Sequence, residues 1–170
     1  MNNFLDPEAV LKKLKLKKNM TVADFGSGSG GWVIPLAKKL EEGKVYAVDI
    51  LEEPLSALRS KLKAEKLYNV DIVKADVEKN SRLTDNSCDL VLMTNILFES
   101  DDAGKVMEEG KRVLKKGGKI LVVDWKNDTS FGPDKKISEQ EVKDIAASLN
   151  LKAESYFEVG EYHWGLILAK

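Results

Sequence analysis

Three aspartates close three short apolar runs: Asp24 in Val22-Ala23-Asp24-Phe25, Asp49 in Val45-Tyr46-Ala47-Val48-Asp49-Ile50, and Asp76 in Val73-Lys74-Ala75-Asp76-Val77. The first run passes directly into Gly26-Ser27-Gly28-Ser29-Gly30-Gly31. Glycines accept the φ values of a tight turn and carry no Cβ, so such a backbone can lie close against a ligand. A carboxylate where Asp49 stands can accept both hydroxyls of a ribose, with Ile50 against an adenine face. Asp76 can accept from an adenine amino group, and the Val77 N–H completes recognition of that edge. The set therefore suits an adenosine-bearing ligand.

Asp24 decides which one. Gly26, Gly28 and Gly31 satisfy G-x-G-x-x-G, the pattern of dinucleotide sites, which raises an NAD-dependent oxidoreductase as one reading. Yet a dinucleotide places its pyrophosphate at this turn, beside Asp24. Two like charges about 4 Å apart at an effective dielectric near 20 repel by about 4 kcal/mol. S-adenosylmethionine carries no phosphate, but a sulfonium and an ammonium, so an acid here favours it. The expected cofactor is S-adenosylmethionine, held by Asp24, Gly26, Ser27, Gly28, Asp49, Ile50, Asp76 and Val77.

Strands must carry these residues to one edge, and the sequence alternates as that requires. Short β-branched runs take turns with charged, helix-periodic segments, the pattern of βαβ units on a parallel sheet. Asp6 and Pro7 cap a first helix to about Leu16, and strands are expected at 21–25, 45–49, 70–74, 90–94 and 119–124. Helices are expected from the glycine turn to about Leu40, from Pro54 to Glu65, and from Asp101 to Leu114, where Gly117-Gly118 stops the last. Ser138 with Glu141 reads as a capping box for a helix to about Leu149. The runs 153–159 and 163–169, separated by Gly160-Glu161, read as an antiparallel hairpin closing the sheet. Ligands in open α/β sheets bind at the carboxyl ends of the strands, where the three aspartates fall.

The whole 170-residue chain fits one domain with a short N-terminal helix. A formal net charge of −1 supplies no long-range attraction to nucleic acid or an anionic membrane, and no apolar stretch approaches the ~20 residues of a spanning helix. The lysine run at 12–18 is interleaved with Leu14 and Leu16 and reads as the solvated side of a helix. One cysteine, Cys88, allows neither an internal disulfide nor a Cys-rich metal site, which points to a reducing, cytoplasmic setting.

In its ordered motifs the chain resembles the class I S-adenosylmethionine-dependent methyltransferases, especially compact members similar to the ubiquinone and menaquinone biosynthesis group. The resemblance rests on 22–30, 45–50, the Asp76 segment, Cys88-Asp89-Leu90-Val91-Leu92-Met93-Thr94-Asn95, and Leu114-Lys115-Lys116-Gly117-Gly118-Lys119-Ile120. It implies an α/β Rossmann-like, mostly parallel seven-stranded sheet in the order 3-2-1-4-5-7-6, with strand seven antiparallel and helices on both faces. It also places Asn95 beside the methionine part of the cofactor. Relatives with small-molecule acceptors often carry histidines soon after strand four, whereas this chain reads Ile96-Leu97-Phe98-Glu99-Ser100.

Methyl transfer is an in-line displacement in which positioning supplies much of the catalysis. If the acceptor must lose a proton, the lone histidine, His163, is the candidate base. Asp124 and Trp125 end strand five on the same edge, where Trp125 could wall an acceptor pocket. Glu99, Asp101 and Asp102 read as acids opening a helix, and Cys88 falls at the opposite edge with no role. The segments 4–18 and 125–136 are the candidates for covering the acceptor. The leading expectation is a methyltransferase with a small-molecule acceptor; the alternatives are a protein or RNA acceptor, or a non-catalytic cofactor-binding protein.

Overall fold

The computed structural model describes residues 5–170; of the expected 4–18 segment, Phe4 lies outside the described residues. Seven strands form one sheet in the order β3-β2-β1-β4-β5-β7-β6. They are β1 (Thr21–Phe25), β2 (Lys44–Asp49), β3 (Val70–Lys74), β4 (Cys88–Thr94), β5 (Leu114–Trp125), β6 (Lys152–Val159) and β7 (His163–Ala169). The first five run parallel, and β7 lies antiparallel to both β5 and β6. The helices are α1 (Pro7–Leu11), α2 (Val33–Lys39), α3 (Glu52–Glu65), α4 (Ala103–Val113) and α5 (Glu139–Ser148).

Both faces of the sheet are covered, as the near-continuous apolar strands demand. Alternation along each strand sends successive side chains to opposite layers. Val22, Leu90, Leu92, Leu121 and Val123 join the layer under α1, α2 and α3. Ala23, Phe25, Val91, Met93, Ile120 and Val122 join the layer under α4 and α5, with Trp164, Leu166 and Leu168 from β7. Asp24 follows the parity of Val22, and Asp124 that of Val122, so both acids continue buried apolar rows.

Capping follows the sequence closely. The Asp6 carboxylate accepts from the N–H groups of Glu8 and Ala9, and Ser138 and Glu141 form the reciprocal box that starts α5. Elsewhere tertiary packing overrules local pattern. The helix expected to reach Leu16 ends at Leu11, and Leu14 and Leu16 instead pack against the α1–α3 layer. Gly117-Gly118 does not stop α4, which ends at Val113 and passes directly into β5. The glycine pair sits in a bulge, where Cys88 pairs with Leu114 but Leu90 pairs with Lys119, and Gly117 takes φ +77° there. Strand β4 also begins two residues earlier than expected, at Cys88. Among the described residues no helix is long and apolar enough to cross a membrane.

Candidate cofactor and acceptor site

Parallel strands deliver their ends to one edge, and there β1, β2 and β3 release the chain into a shared cavity of about 460 Å³. Its lining includes Gly26, Gly28, Asp49, Ile50, Asp76 and Val77, so six of the expected cofactor residues meet in one place. The turn after β1 is fastened to β2: the Gly26 and Ser27 N–H groups donate to the Val48 carbonyl at 2.9 and 3.0 Å. Gly26 has φ +73°, and a Cβ there would stand 2.8 Å from Ile96 Cδ1. A Cβ on Gly28 would meet nothing within 4 Å, so that side of the turn is open to a ligand.

Asp49 orders this turn as well as facing the cavity. Its Oδ2 accepts from the Gly28 N–H at 2.8 Å and its Oδ1 from the Leu51 N–H at 2.9 Å. A carboxylate has about four lone-pair sites, so both oxygens keep capacity for ligand hydroxyls. Asp76 accepts from the Glu78 N–H at 3.0 Å and pairs with Lys79 at 2.7 Å, which holds its carboxyl below the usual range. Ile50 and Leu51 are exposed apolar side chains at the cavity mouth, suited to an adenine face.

Asp24, Ser27 and Asn95 form a second group, defined by unmet polar capacity. Asp24 is 0% exposed, and both its oxygens lack a hydrogen-bond partner. Burial, then the charge of Asp49, pushes its carboxyl up to about 8. Ser27 Oγ and Asn95 Oδ1 are buried and equally unpartnered. Asn95 adopts φ +53°, a left-handed conformation that asparagine tolerates, and its N–H donates to Val123 on β5 at 2.8 Å. Buried polar groups are ordinarily satisfied, so three on one sheet edge mark where polar ligand groups belong. An acid for an ammonium, a hydroxyl and an amide fit the methionine portion of S-adenosylmethionine.

The turn between β4 and α4 supplies residues that strand-end reasoning missed. Ile96, Glu99 and Ser100 line the cavity, facing the β1 turn. Glu99 does not open α4: Asp102 caps that helix, and Glu78 accepts from the Asp101 and Asp102 N–H groups at 2.9 and 3.2 Å. Partial burial and the charge of Asp49 push the Glu99 carboxyl up. No local periodicity foretells this, because the turn is placed by a long-range contact in which Asp124 Oδ2 accepts from the Phe98 N–H at 3.4 Å. Lys135, from the loop after β5, also donates to the Ser100 carbonyl at 3.0 Å.

At the β5 end, Asp124 is 0% exposed and its Oδ1 accepts from the Trp125 N–H at 2.8 Å. Burial pushes this carboxyl up to about 7. His163 opens β7 opposite Trp125, and their rings lie 4.1 Å apart between centroids. Both His163 nitrogens are buried without partners, and desolvation lowers its pKa to about 4, so the ring is neutral at pH 7. Phe131, from the loop, stands 6.1 Å from Trp125 and 4.8 Å from Tyr162. The loop thus covers Trp125, whereas α1 packs on α2 through the other layer and none of the described residues 5–18 lines the cavity. Cys88 begins β4 at the opposite edge.

Residues 16–164 match the family described as a methyltransferase domain. The fold superposes on a SAM dependent methyltransferase from Aquifex aeolicus with a TM-score of 0.90 and 34% identity, covering 98% of this chain and 90% of that one. A demethylmenaquinone methyltransferase of Geobacillus stearothermophilus is 32% identical over 124 residues, 72% of this chain and 53% of the relative. Its counterpart in Listeria welshimeri is 31% identical over 115 residues, 67% of this chain and 48% of the relative. The chain therefore spans about half the length of these curated relatives.

Proposed function

The chain belongs to the S-adenosylmethionine-dependent class I methyltransferase domains, and from that premise we propose that it methylates a small-molecule acceptor. The bound cofactor supplies a methyl carbon already activated by its sulfonium leaving group. Asp49 holds the ribose hydroxyls, Ile50 covers the adenine face, and Asp76 with the Val77 N–H reads the adenine edge. Gly26, Ser27 and Gly28 give backbone and hydroxyl contacts to the methionine portion, Asp24 meets its ammonium, and Asn95 orients it from β4. The observation that carries this assignment is the partnerless set Asp24, Ser27 and Asn95, next to the residues that line the adenosine-sized cavity.

A small acceptor is supported by the relatives named for a quinone substrate and by the aromatic group Trp125, Phe131, Tyr162 and His163 beside the β5 end. Flat apolar rings of this kind suit a planar acceptor. Where that acceptor must lose a proton, His163 is the side chain at this end that can receive it, since both its nitrogens are unengaged, but burial lowers its pKa to about 4 and so makes it a weak base. The protein's contribution is otherwise orientation and exclusion of water.

The test is transfer of labelled methyl from S-adenosylmethionine to a panel of reduced quinones, phenols and amines, with mass spectrometry of the products. Turnover on one small class is expected. Label appearing only in protein or RNA would overturn the small-acceptor reading, and no transfer to any acceptor by cofactor-saturated protein would favour a non-catalytic binding role. For His163, the variant His163→Gln is expected to lower kcat about tenfold with an unchanged cofactor Kd, below the usual scale of general base catalysis because a base near 4 is weak; a kcat within twofold of the parent would remove it from the mechanism.

A further inference from the structure

Asp49 and Glu99 line the cavity, Asp24 and Asp124 are buried at the strand ends beside it, and none of the four takes part in an ion pair among the described residues. Asp24 precedes the last residue of β1, Asp49 ends β2, Glu99 lies on the turn after β4, and Asp124 precedes the last residue of β5. They form an electrostatic series: Asp24 senses Asp49, Glu99 senses Asp49, and Asp124 senses Glu99. Asp24 and Asp124 are fully buried, and Asp24 is also without any partner. The positive groups around this path are engaged elsewhere. Lys79 pairs with Asp76, Lys61 donates to Ser29, Lys135 donates to the Ser100 carbonyl, and Lys126 pairs with Glu158. His163, on β7 beside Trp125, is neutral at pH 7.

We propose that Glu99 and Asp124 are specificity residues that discriminate the sulfonium cofactor from its neutral thioether product, so that loss of the methyl group weakens binding and promotes product release. This rests on the cofactor assignment above. The argument follows the covalent order of the ligand. Its sulfur lies between the ribose and the methionine portion, and Glu99, on the turn after β4, lines the same cavity as the ribose acid Asp49 and the Gly26–Gly28 turn assigned to the methionine portion, so it flanks that stretch. Asp124 backs Glu99 and holds its turn through the Phe98 N–H. The ammonium is common to cofactor and product, so Asp24 acts on both ligands alike and cancels from their ratio. Glu99, on the sulfur side, faces most directly the charge that disappears on methyl transfer.

Calorimetric titration of S-adenosylmethionine and S-adenosylhomocysteine from pH 6 to pH 9 tests this on the parent, Glu99→Gln and Asp124→Asn. A single charge contact across a partly screened gap predicts a preference for the sulfonium ligand of about tenfold at pH 8.5. The preference grows with pH as Asp124, raised by burial, ionises around pH 7 behind Glu99. Glu99→Gln is expected to abolish most of the preference while leaving the product's Kd within threefold. Asp124→Asn is expected to flatten its pH dependence. Sinefungin, in which an ammonium-bearing carbon replaces the sulfonium, should follow the cofactor and not the product. Equal affinities for cofactor and product, independent of pH and of Glu99→Gln, would overturn the proposal while leaving the site assignment intact; failure of all three ligands to bind the parent would instead bring down that assignment.

Discussion

Asp24→Asn exposes a conflict between stability and binding. The native carboxyl sits at about 8 against an ordinary 3.8, because burial and Asp49 both disfavour its charge. A raised carboxyl contributes stability that is complete below 3.8 and is lost as pH climbs toward 8, since the unfolded chain releases a proton that the native state retains. At pH 7 the loss is about 4 kcal/mol, at about 1.4 kcal/mol for each pH unit above 3.8. Asparagine keeps the shape and removes the charge. The ligand-free variant should therefore melt roughly 10 °C above the parent at pH 7, at a few degrees per kcal/mol for a chain of this size, with little difference at pH 4. Cofactor affinity should move the other way, falling about 100-fold at pH 8.5 as the ammonium loses its acid. Parent affinity should also rise about tenfold per pH unit up to about pH 8, because binding must first release the Asp24 proton. Thermal melts from pH 4 to 8.5, paired with calorimetric titrations, read both effects. A variant that is less stable than the parent at pH 8 would refute the reasoning, as would one that binds the cofactor as tightly.

Other substitutions probe the surrounding geometry. Gly26→Ala places a Cβ 2.8 Å from Ile96 Cδ1 at φ +73°, so a loss of about 1–3 kcal/mol in urea unfolding is expected, with weaker cofactor binding; an unchanged midpoint would contradict the tight packing of the turn on Ile96. His163, depressed from 6.5 to about 4, contributes stability present above 6.5 and lost as pH falls toward 4. His163→Gln should therefore show a shallower stability loss than the parent between pH 6.5 and 4, and parallel curves would show that the ring is not held neutral. Lys135→Ala removes the donor to the Ser100 carbonyl and should raise the cofactor Kd a few-fold with little change in melting temperature; an unaltered Kd would mean the loop does not steady the cavity wall.

The legible part of the site is the part written within single βαβ units. Asp49 and Asp76 follow their strands by fixed local geometry, and the glycine turn needs residues that only glycine supplies, so strand ends could be read in order and assigned to one edge. The alternation foretold a parallel βαβ sheet, and its strand order came only from the family resemblance. The illegible part is set by contacts between distant segments. Glu99 looks like a helix-opening acid until Asp124, a neighbour across the β4–β5 pairing, captures the Phe98 N–H and swings the turn over the cavity. Leu11 and Leu14 keep a helical spacing, but the helix stops at Leu11 and the α1–α3 layer takes up Leu14 and Leu16 outside any helix. Gly117-Gly118 carries a helix-stop signal, yet α4 has already ended at Val113 and the pair serves a β-bulge.

The central claim is that the edge defined by Asp24, Asp49 and Asp76 holds S-adenosylmethionine. Calorimetric titration of the parent and of Asp49→Ala with S-adenosylmethionine, S-adenosylhomocysteine and NADH tests it most directly. Asp49 accepts from the Gly28 and Leu51 N–H groups and lines the cavity where the ribose is proposed to sit, so removing it should weaken both adenosyl ligands about 100-fold, the scale of two charge-assisted hydrogen bonds. Saturable binding of the two adenosyl ligands, lost in that proportion and absent for NADH, is the predicted result. Binding of NADH alone, or adenosyl affinities indifferent to Asp49→Ala, would contradict it.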